Sequence, residues 1–396
     1  MAVEARAHAI EESRATHHLR IVRLSVADFR CYGEARIDAD DRPIVLTGAN
    51  GAGKTNLLEA ISFLAPGRGL RRATLVEALR RQSPAGAAWA VSARIDGPAG
   101  EIVIGTGMDP EAGAASSRRI VRIDGRPAAS QADLGGHLTL VWLTPQMDRL
   151  FLEGAGNRRR FLDRLVYGFH AGHAASLGAY EQAMRERSRL LKDDRWDASW
   201  LAALEEAMAG HAVAIAAARR EVVGRLSAAG ASATLADGPF PQADMALSGT
   251  VEGWLETMPA LAAEDALKDR LAETRRLDAA IGGATEGPHR SDLAVRHRGK
   301  DMPAGQCSTG EQKALLIGIV LANARILAAE RGAPPILLLD EVAAHLDRGR
   351  RAALFDEILA LGAQAWLTGT DRELFADFGG RARFLGVEDA RITDLG

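Results

Sequence analysis

Lysine is nearly missing from these 396 residues: only Lys54, Lys192, Lys268, Lys300 and Lys313 occur, and arginine supplies the rest of the positive charge. A lysine inside a glycine-rich string is therefore more telling here than any arginine cluster. Cysteine is scarce too, and Cys31 and Cys307 stand far apart in no metal-ligand spacing, which suits a reducing compartment. With a formal net charge of -3 there is no global attraction to nucleic acid, so any such contact must come from local clusters. No uninterrupted apolar stretch approaches the length of a membrane span, the best candidate being the short run Ala314–Ala322. Residues 1–19 lack the apolar core of a signal peptide and read as a disordered extension, which leaves a cytoplasmic, membrane-free protein as the expectation. A hydrophobic share of 47% and a charged share of 26% fit an ordinary globular chain of two or three domains.

Against that background, Gly48-Ala49-Asn50-Gly51-Ala52-Gly53-Lys54-Thr55 has the spacing of a phosphate-binding loop. It follows an apolar run, Ile44 to Leu46, and precedes a helix-like stretch from Asn56 to Ile61. Glycines let the backbone curl until successive N–H groups face the phosphates, and the helix N-terminus adds positive potential. Lys54 would bridge the phosphates and Thr55 would ligate Mg2+. A second stretch, Ile336-Leu337-Leu338-Leu339-Asp340-Glu341, reads as a buried parallel strand with a carboxylate at its end. Asp340 can hold Mg2+ through its water shell, and Glu341 is placed to polarise an attacking water. Together the two stretches name ATP with Mg2+ as the cofactor.

Strand signals at 22–29, 44–47 and 138–143, with hairpin signals near Asp96-Gly97 and Asp124-Gly125, predict a sheet with a small antiparallel layer. From about residue 156 to 278 the character turns helical, and Leu201, Leu204, Met208, Ala212, Ile215, Val222 and Leu226 draw one apolar stripe. Glycines near 230, 238 and 253 break this region into several helices. The two nucleotide stretches therefore belong to one ATPase head whose sheet is completed from both ends of the chain. Its parts span 20–155 and 281–396, with a helical arm inserted over 156–280.

Ser308-Thr309-Gly310-Glu311-Gln312 lies between the two stretches, just ahead of a helix. It resembles the signature motif of ABC-type ATPases, in which a hydroxyl, a glycine N–H and a helix N-terminus form a second anion site. The same string also reads as an ordinary capping box. Taken with Gly51–Ile61, Gly287-Pro288-His289-Arg290, Arg158–Asp163, Phe29–Tyr32 and Asp340 to Asp347, it makes residues 20–396 similar to the RecF family of recombination and repair ATPases.

That resemblance implies an α/β, P-loop ABC-type head with a mainly parallel sheet, a small antiparallel layer and an inserted α-helical lobe. It implies a homodimer formed on ATP binding that closes around duplex DNA at single-strand gaps or junctions, with weak, DNA-stimulated hydrolysis, and it implies RecR and RecO as partners. Gly48 to Thr55 would hold the phosphates, Lys54 and Glu341 would act in hydrolysis, and Ser308, Gly310 and Gln312 would act across the dimer. Asp347 would face the second copy. Where most ABC proteins carry a histidine, this chain has Thr368-Gly369-Thr370, so a hydroxyl of Thr368 or Thr370 is the expected γ-phosphate sensor. Gln146 falls where a loop glutamine contacts Mg2+. Arg68, Arg71 and Arg72 are the expected DNA contacts, His289 a structural or DNA-side residue, and Arg30 a partner of either the nucleotide or a carboxylate. The alternative from another class is the nucleotide-binding subunit of an ABC transporter.

Overall fold

A first unit collects Arg20–Phe29 (β1), Tyr32–Asp38 (β2), Ile44–Thr47 (β3), Ala90–Gly97 (β4), Gly100–Met108 (β5), Arg119–Ile123 (β6), Arg126–Pro127 (β7) and Leu140–Leu143 (β8). Its remaining strands come from the other end of the chain: Ile336–Leu339 (β12), Ala365–Gly369 (β13), Arg383–Glu388 (β14) and Arg391–Asp394 (β15). The computed structural model describes residues 18–84, 86–110, 118–192, 197–230 and 238–396. Most of the extension expected over 1–19 lies outside the described residues, whereas Leu19 is already buried.

Two six-stranded sheets make up this unit. One is antiparallel in the order β2-β1-β4-β5-β6-β7, and the other runs β15-β14-β3-β13-β12-β8 with parallel pairing from β14 to β8. Every residue of β3, β8, β12 and β13 is buried, as expected of strands covered on both faces. The neighbours of β3 are β13 and β14, so the strand that feeds the glycine-rich loop is held by segments more than three hundred residues away. Strand β2 carries no sequence signal because Gly33 and alternating charges dilute it. It forms by pairing with β1 through the tight turn at Arg30-Cys31, where Phe29 faces Tyr32.

The second unit comprises residues 135–137 and 144–323. It holds Ala155–Tyr167 (α3), His173–Leu190 (α4), Ala198–Gly230 (α5), Thr250–Thr257 (α6), Ala260–Glu273 (α7) and Arg275–Ile281 (α8). These follow Lys54–Ser62 (α1) and Leu75–Ala78 (α2) of the first unit. The predicted stripe on α5 is the buried face, with Leu201, Met208, Ala212, Ile215, Val222 and Leu226 all inside. Two features differ from the sequence reading. A strand, Ala243–Ser248 (β9), interrupts the helical region and pairs antiparallel with Asp292–His297 (β10), which in turn pairs with Met302–Pro303 (β11). That sheet draws the segment through residue 323 into this unit, so the boundaries fall at 144 and 323 instead of 156 and 280.

Thr309–Arg331 (α9) begins in the second unit and ends in the first. By length and hydropathy both α9 and Ala198–Ala229 of α5 could cross a membrane, contrary to the sequence expectation. Their apolar windows are 67% and 56% buried within the protein, the pattern of core helices.

A charge network lies inside the second unit. Arg187 of α4 is fully buried and donates to Glu205 Oε1 at 2.9 Å, Asp278 Oδ2 at 2.8 Å and the Leu271 carbonyl at 2.6 Å. Arg275 also pairs with Glu205, and Thr274 and Thr285 donate to Asp278, so every charge in the network has a partner. Removing one member of such a network leaves a buried charge uncompensated. Arg187→Ala should destabilise this unit by about 3–5 kcal/mol, read as a lower urea midpoint, and an unchanged midpoint would contradict this.

Candidate functional site

The loop after β3 owes its path to close backbone packing. A Cβ at Gly48 would lie 2.1 Å from the Val387 carbonyl oxygen, and one at Gly53 would lie 2.7 Å from the Tyr32 hydroxyl and 2.8 Å from Cys31 Sγ. Gly53 also has φ 117°, outside the range of other residues, and Tyr32 Oη donates to its carbonyl at 3.2 Å. The loop is further tied by the Ala390 N–H, which donates to the Ala52 carbonyl at 3.2 Å. Helix α1 starts at Lys54, so its unpaired N–H groups open toward the loop. Lys54 is buried, and Nζ donates to the Gly48 carbonyl at 2.7 Å and the Ala49 carbonyl at 2.9 Å. Burial pushes its pKa below that of an ordinary lysine, while the charges of Glu341 and Asp340 pull the other way. A cavity of about 700 Å³ borders the loop, lined in part by Asn50, Ala52, Thr370, Arg372 and Asp389.

Asp340 stands at the end of β12, its N–H donating to the Leu143 carbonyl at 2.9 Å. Its Oδ1 accepts two hydroxyls, Thr55 Oγ1 at 2.8 Å and Thr368 Oγ1 at 2.8 Å. The Thr55 bond joins the two predicted halves of the site across 285 positions. With its proton on Asp340, Thr55 keeps oxygen lone pairs for another partner. The adjacent hydroxyl and carboxylate oxygens are the hard donors that Mg2+ prefers. Glu341 follows with φ 49° and ψ 28°, a left-handed conformation that costs about 1–3 kcal/mol for a non-glycine residue. Its N–H donates to Thr368 Oγ1 at 2.9 Å.

Thr368 therefore does not suit the sensor role expected of it. It is fully buried, and its single proton is committed to Asp340. Thr370, two residues on, is exposed and borders the cavity beside the loop.

Ser308 and Gln146 belong to the second unit, and both are exposed. Ser308 forms the capping box of α9: its N–H donates to Glu311 Oε2 at 2.9 Å and its Oγ accepts from the Glu311 N–H at 3.4 Å. Lys300 pairs with Glu311, and these contacts hold the carboxyl at about 2. Gly310 is exposed at the start of the helix, whereas Gln312 is buried and donates to the Cys307 carbonyl at 2.8 Å. The Gln312 side chain thus closes the helix start and does not reach outward as expected. Asp347 is exposed at the N-cap of Arg348–Leu361 (α10), accepting the Arg350 N–H at 2.8 Å.

Of the arginines, Arg68 and Arg72 are exposed, and Arg71 donates to Asn56 Oδ1 at 2.8 Å and Glu59 Oε2 at 3.3 Å. Glu59 is buried on α1 and also takes a two-pronged bond from Arg30 at 2.9 and 2.6 Å, which decides Arg30 in favour of a carboxylate. Sequence reasoning missed Glu59, because a glutamate among Leu57, Leu58, Ala60 and Ile61 reads as the polar face of a helix. Tyr32 was visible only as part of a family resemblance. His289 is structural: Nδ1 meets the Tyr180 hydroxyl at 2.7 Å and Nε2 the Ala284 carbonyl at 2.9 Å, and burial lowers its pKa.

The buried ammonium of Lys54 has a consequence in pH. Anion affinity at the loop should decline toward alkaline pH as Lys54 loses its proton, starting lower than for a solvated lysine, because burial favours the neutral amine. Calorimetric titration with pyrophosphate from neutral to alkaline pH checks this. Lys54→Arg, which stays protonated, should shift the decline upward, and an affinity independent of pH in the wild type would contradict it.

The profile of the RecF/RecN/SMC N terminal domain matches residues 20–390. The DNA replication and repair protein RecF of Rhizobium rhizogenes (strain K84) is 50% identical over 377 residues, covering 95% of this chain and 99% of that relative. Among solved structures, the recombination mediator protein RecF in the RecFOR pathway, solved as RecF-ATP, aligns with a TM-score of 0.78 at 21% identity, over 96% of this chain and 100% of that one. An Smc head domain with an extended coiled coil from Pyrococcus furiosus, bound to the C-terminal domain of ScpA, aligns with a TM-score of 0.53 at 17% identity, over 96% of each chain. The two structures share the ABC-type head fold expected from the sequence. The chain belongs to the RecF family of DNA replication and repair proteins.

Proposed function

We propose that the protein is an ATP-switched DNA-binding ATPase of recombinational repair and replication restart, acting in the cytoplasm as a homodimer formed on ATP. The observation that carries this reading is the 2.8 Å bond from Thr55 Oγ1 to Asp340 Oδ1, which unites a phosphate loop with an acidic strand end. The N–H groups from Gly48 to Thr55 bind the β- and γ-phosphates, and Lys54 exchanges its two carbonyl partners for phosphate oxygens. Thr55 and Asp340 would hold Mg2+, directly and through its water shell. Held there, the ion would supply neutralising charge to the transferring phosphoryl group. Glu341 orients the attacking water.

Ser308 and Gly310 close on the γ-phosphate held by a second copy, and Asp347 faces that copy. Exposed Thr370 takes the sensor role. Arg68 and Arg72 are exposed for contact with duplex phosphate at single-strand gaps or junctions, with Arg71 reaching DNA from its seat on Glu59. Partnership with RecR and RecO follows from the RecFOR pathway in which the solved RecF is named. The transporter-subunit alternative loses its support, since the relatives matching 95% of the chain are replication and repair proteins.

Two variants test this reading. Lys54→Met should lower ATP-dependent retention of a gapped duplex at least about tenfold, and wild-type retention should fall with salt. Equal retention by variant and wild type would refute the switch. Glu341→Gln should bind ATP, cut its turnover by about 100-fold or more and accumulate dimers on gel filtration. Unchanged turnover would remove Glu341 from the chemistry.

A further inference from the structure

We infer that Thr368 is a positioning residue for ATP hydrolysis, its hydroxyl locking the Asp340 carboxylate and the Glu341 peptide into one network. The inference rests on the ATPase reading above. Strands β12 and β13 run parallel with Leu338 opposite Trp366 and Leu339 opposite Leu367, so the next position along each strand brings Asp340 beside Thr368. The hydroxyl then serves the Asp340 carboxylate and the Glu341 backbone at once. It donates to Asp340 Oδ1 at 2.8 Å and accepts the Glu341 N–H at 2.9 Å.

Each bond constrains something that chemistry needs. A carboxylate held only by Thr55 could rotate about its side-chain bonds, whereas two hydroxyls on Oδ1 fix the plane of the group and leave Oδ2 for the metal's water shell. Glu341 sits in a left-handed conformation that it would leave if its N–H lost its acceptor. Thr368 supplies that acceptor from a neighbouring buried strand. Because its side chain is fully buried, it performs this task without touching the nucleotide.

The test compares Thr368→Val, which keeps the shape and removes both bonds, with Thr368→Ser, which keeps the hydroxyl. ATP turnover, ATP and ADP affinity by a fluorescent nucleotide, and the Mg2+ concentration for half-maximal turnover are measured on the full chain. The valine variant should lose about 10–100-fold in kcat and need more Mg2+. Its ATP and ADP affinities should shift equally and little, and serine should restore turnover. A valine variant with wild-type kcat would overturn the inference, as would selective loss of ATP affinity over ADP, the mark of a γ-phosphate sensor. Should the valine protein fail to fold, the serine variant decides alone: it retains the hydroxyl, so turnover well below wild type would also overturn the inference. Absence of both binding and hydrolysis in the wild type would instead sink the ATPase reading itself.

Discussion

One carboxylate oxygen holds this structure's chemistry together. Asp340 Oδ1 accepts a hydroxyl from Thr55, at the start of the helix that follows the phosphate loop, and another from Thr368, on the strand beside it. Three segments from opposite ends of the chain meet there. The meeting is possible because β3, β12 and β13 are fully buried neighbours in one parallel register, which places their C-terminal ends at a common edge. Without that register, the loop and the acidic strand end would be two motifs and not one site.

A second set of constraints keeps the loop in shape from the antiparallel sheet. The turn between β1 and β2 brings Tyr32 under Gly53 and Arg30 onto Glu59, so the first residues of α1 and its middle are both anchored. Arg30 itself adopts φ 55°, its N–H donating to the Ala78 carbonyl at 2.8 Å while its side chain pairs with the buried Glu59 carboxylate. Arg71 shares the same carboxylate. Any force that draws Arg71 away, such as a phosphate of a duplex, would therefore act on the helix that carries Lys54 and Thr55.

Much of this was legible in the sequence, and the pattern of what was not has physical causes. The loop, the acidic strand end and the apolar stripe on α5 are local patterns, fixed by spacing within a few residues. Strand β9 and the reach of the second unit to residue 323 were hidden, since a six-residue strand with a single partner leaves no periodic trace. The roles of side-chain hydroxyls and amides were hidden as well. Thr368, Gln312 and Ser308 could each have faced outward or inward, and only tertiary burial separates these cases: Thr368 and Gln312 are turned inward, while Ser308 stands exposed at a helix start. Glu59 shows the converse, a charge in an apolar run that only tertiary partners explain.

In the proposed function, ATP at this loop turns one chain into half of a DNA-holding pair. Sedimentation velocity of the purified protein with Mg-ATP or Mg-ADP, with and without a gapped duplex, tests it most directly. The expected result is a dimer with ATP that co-sediments with the gapped duplex, and dissociation of both with ADP. A species whose mass and DNA association are the same with either nucleotide would contradict it.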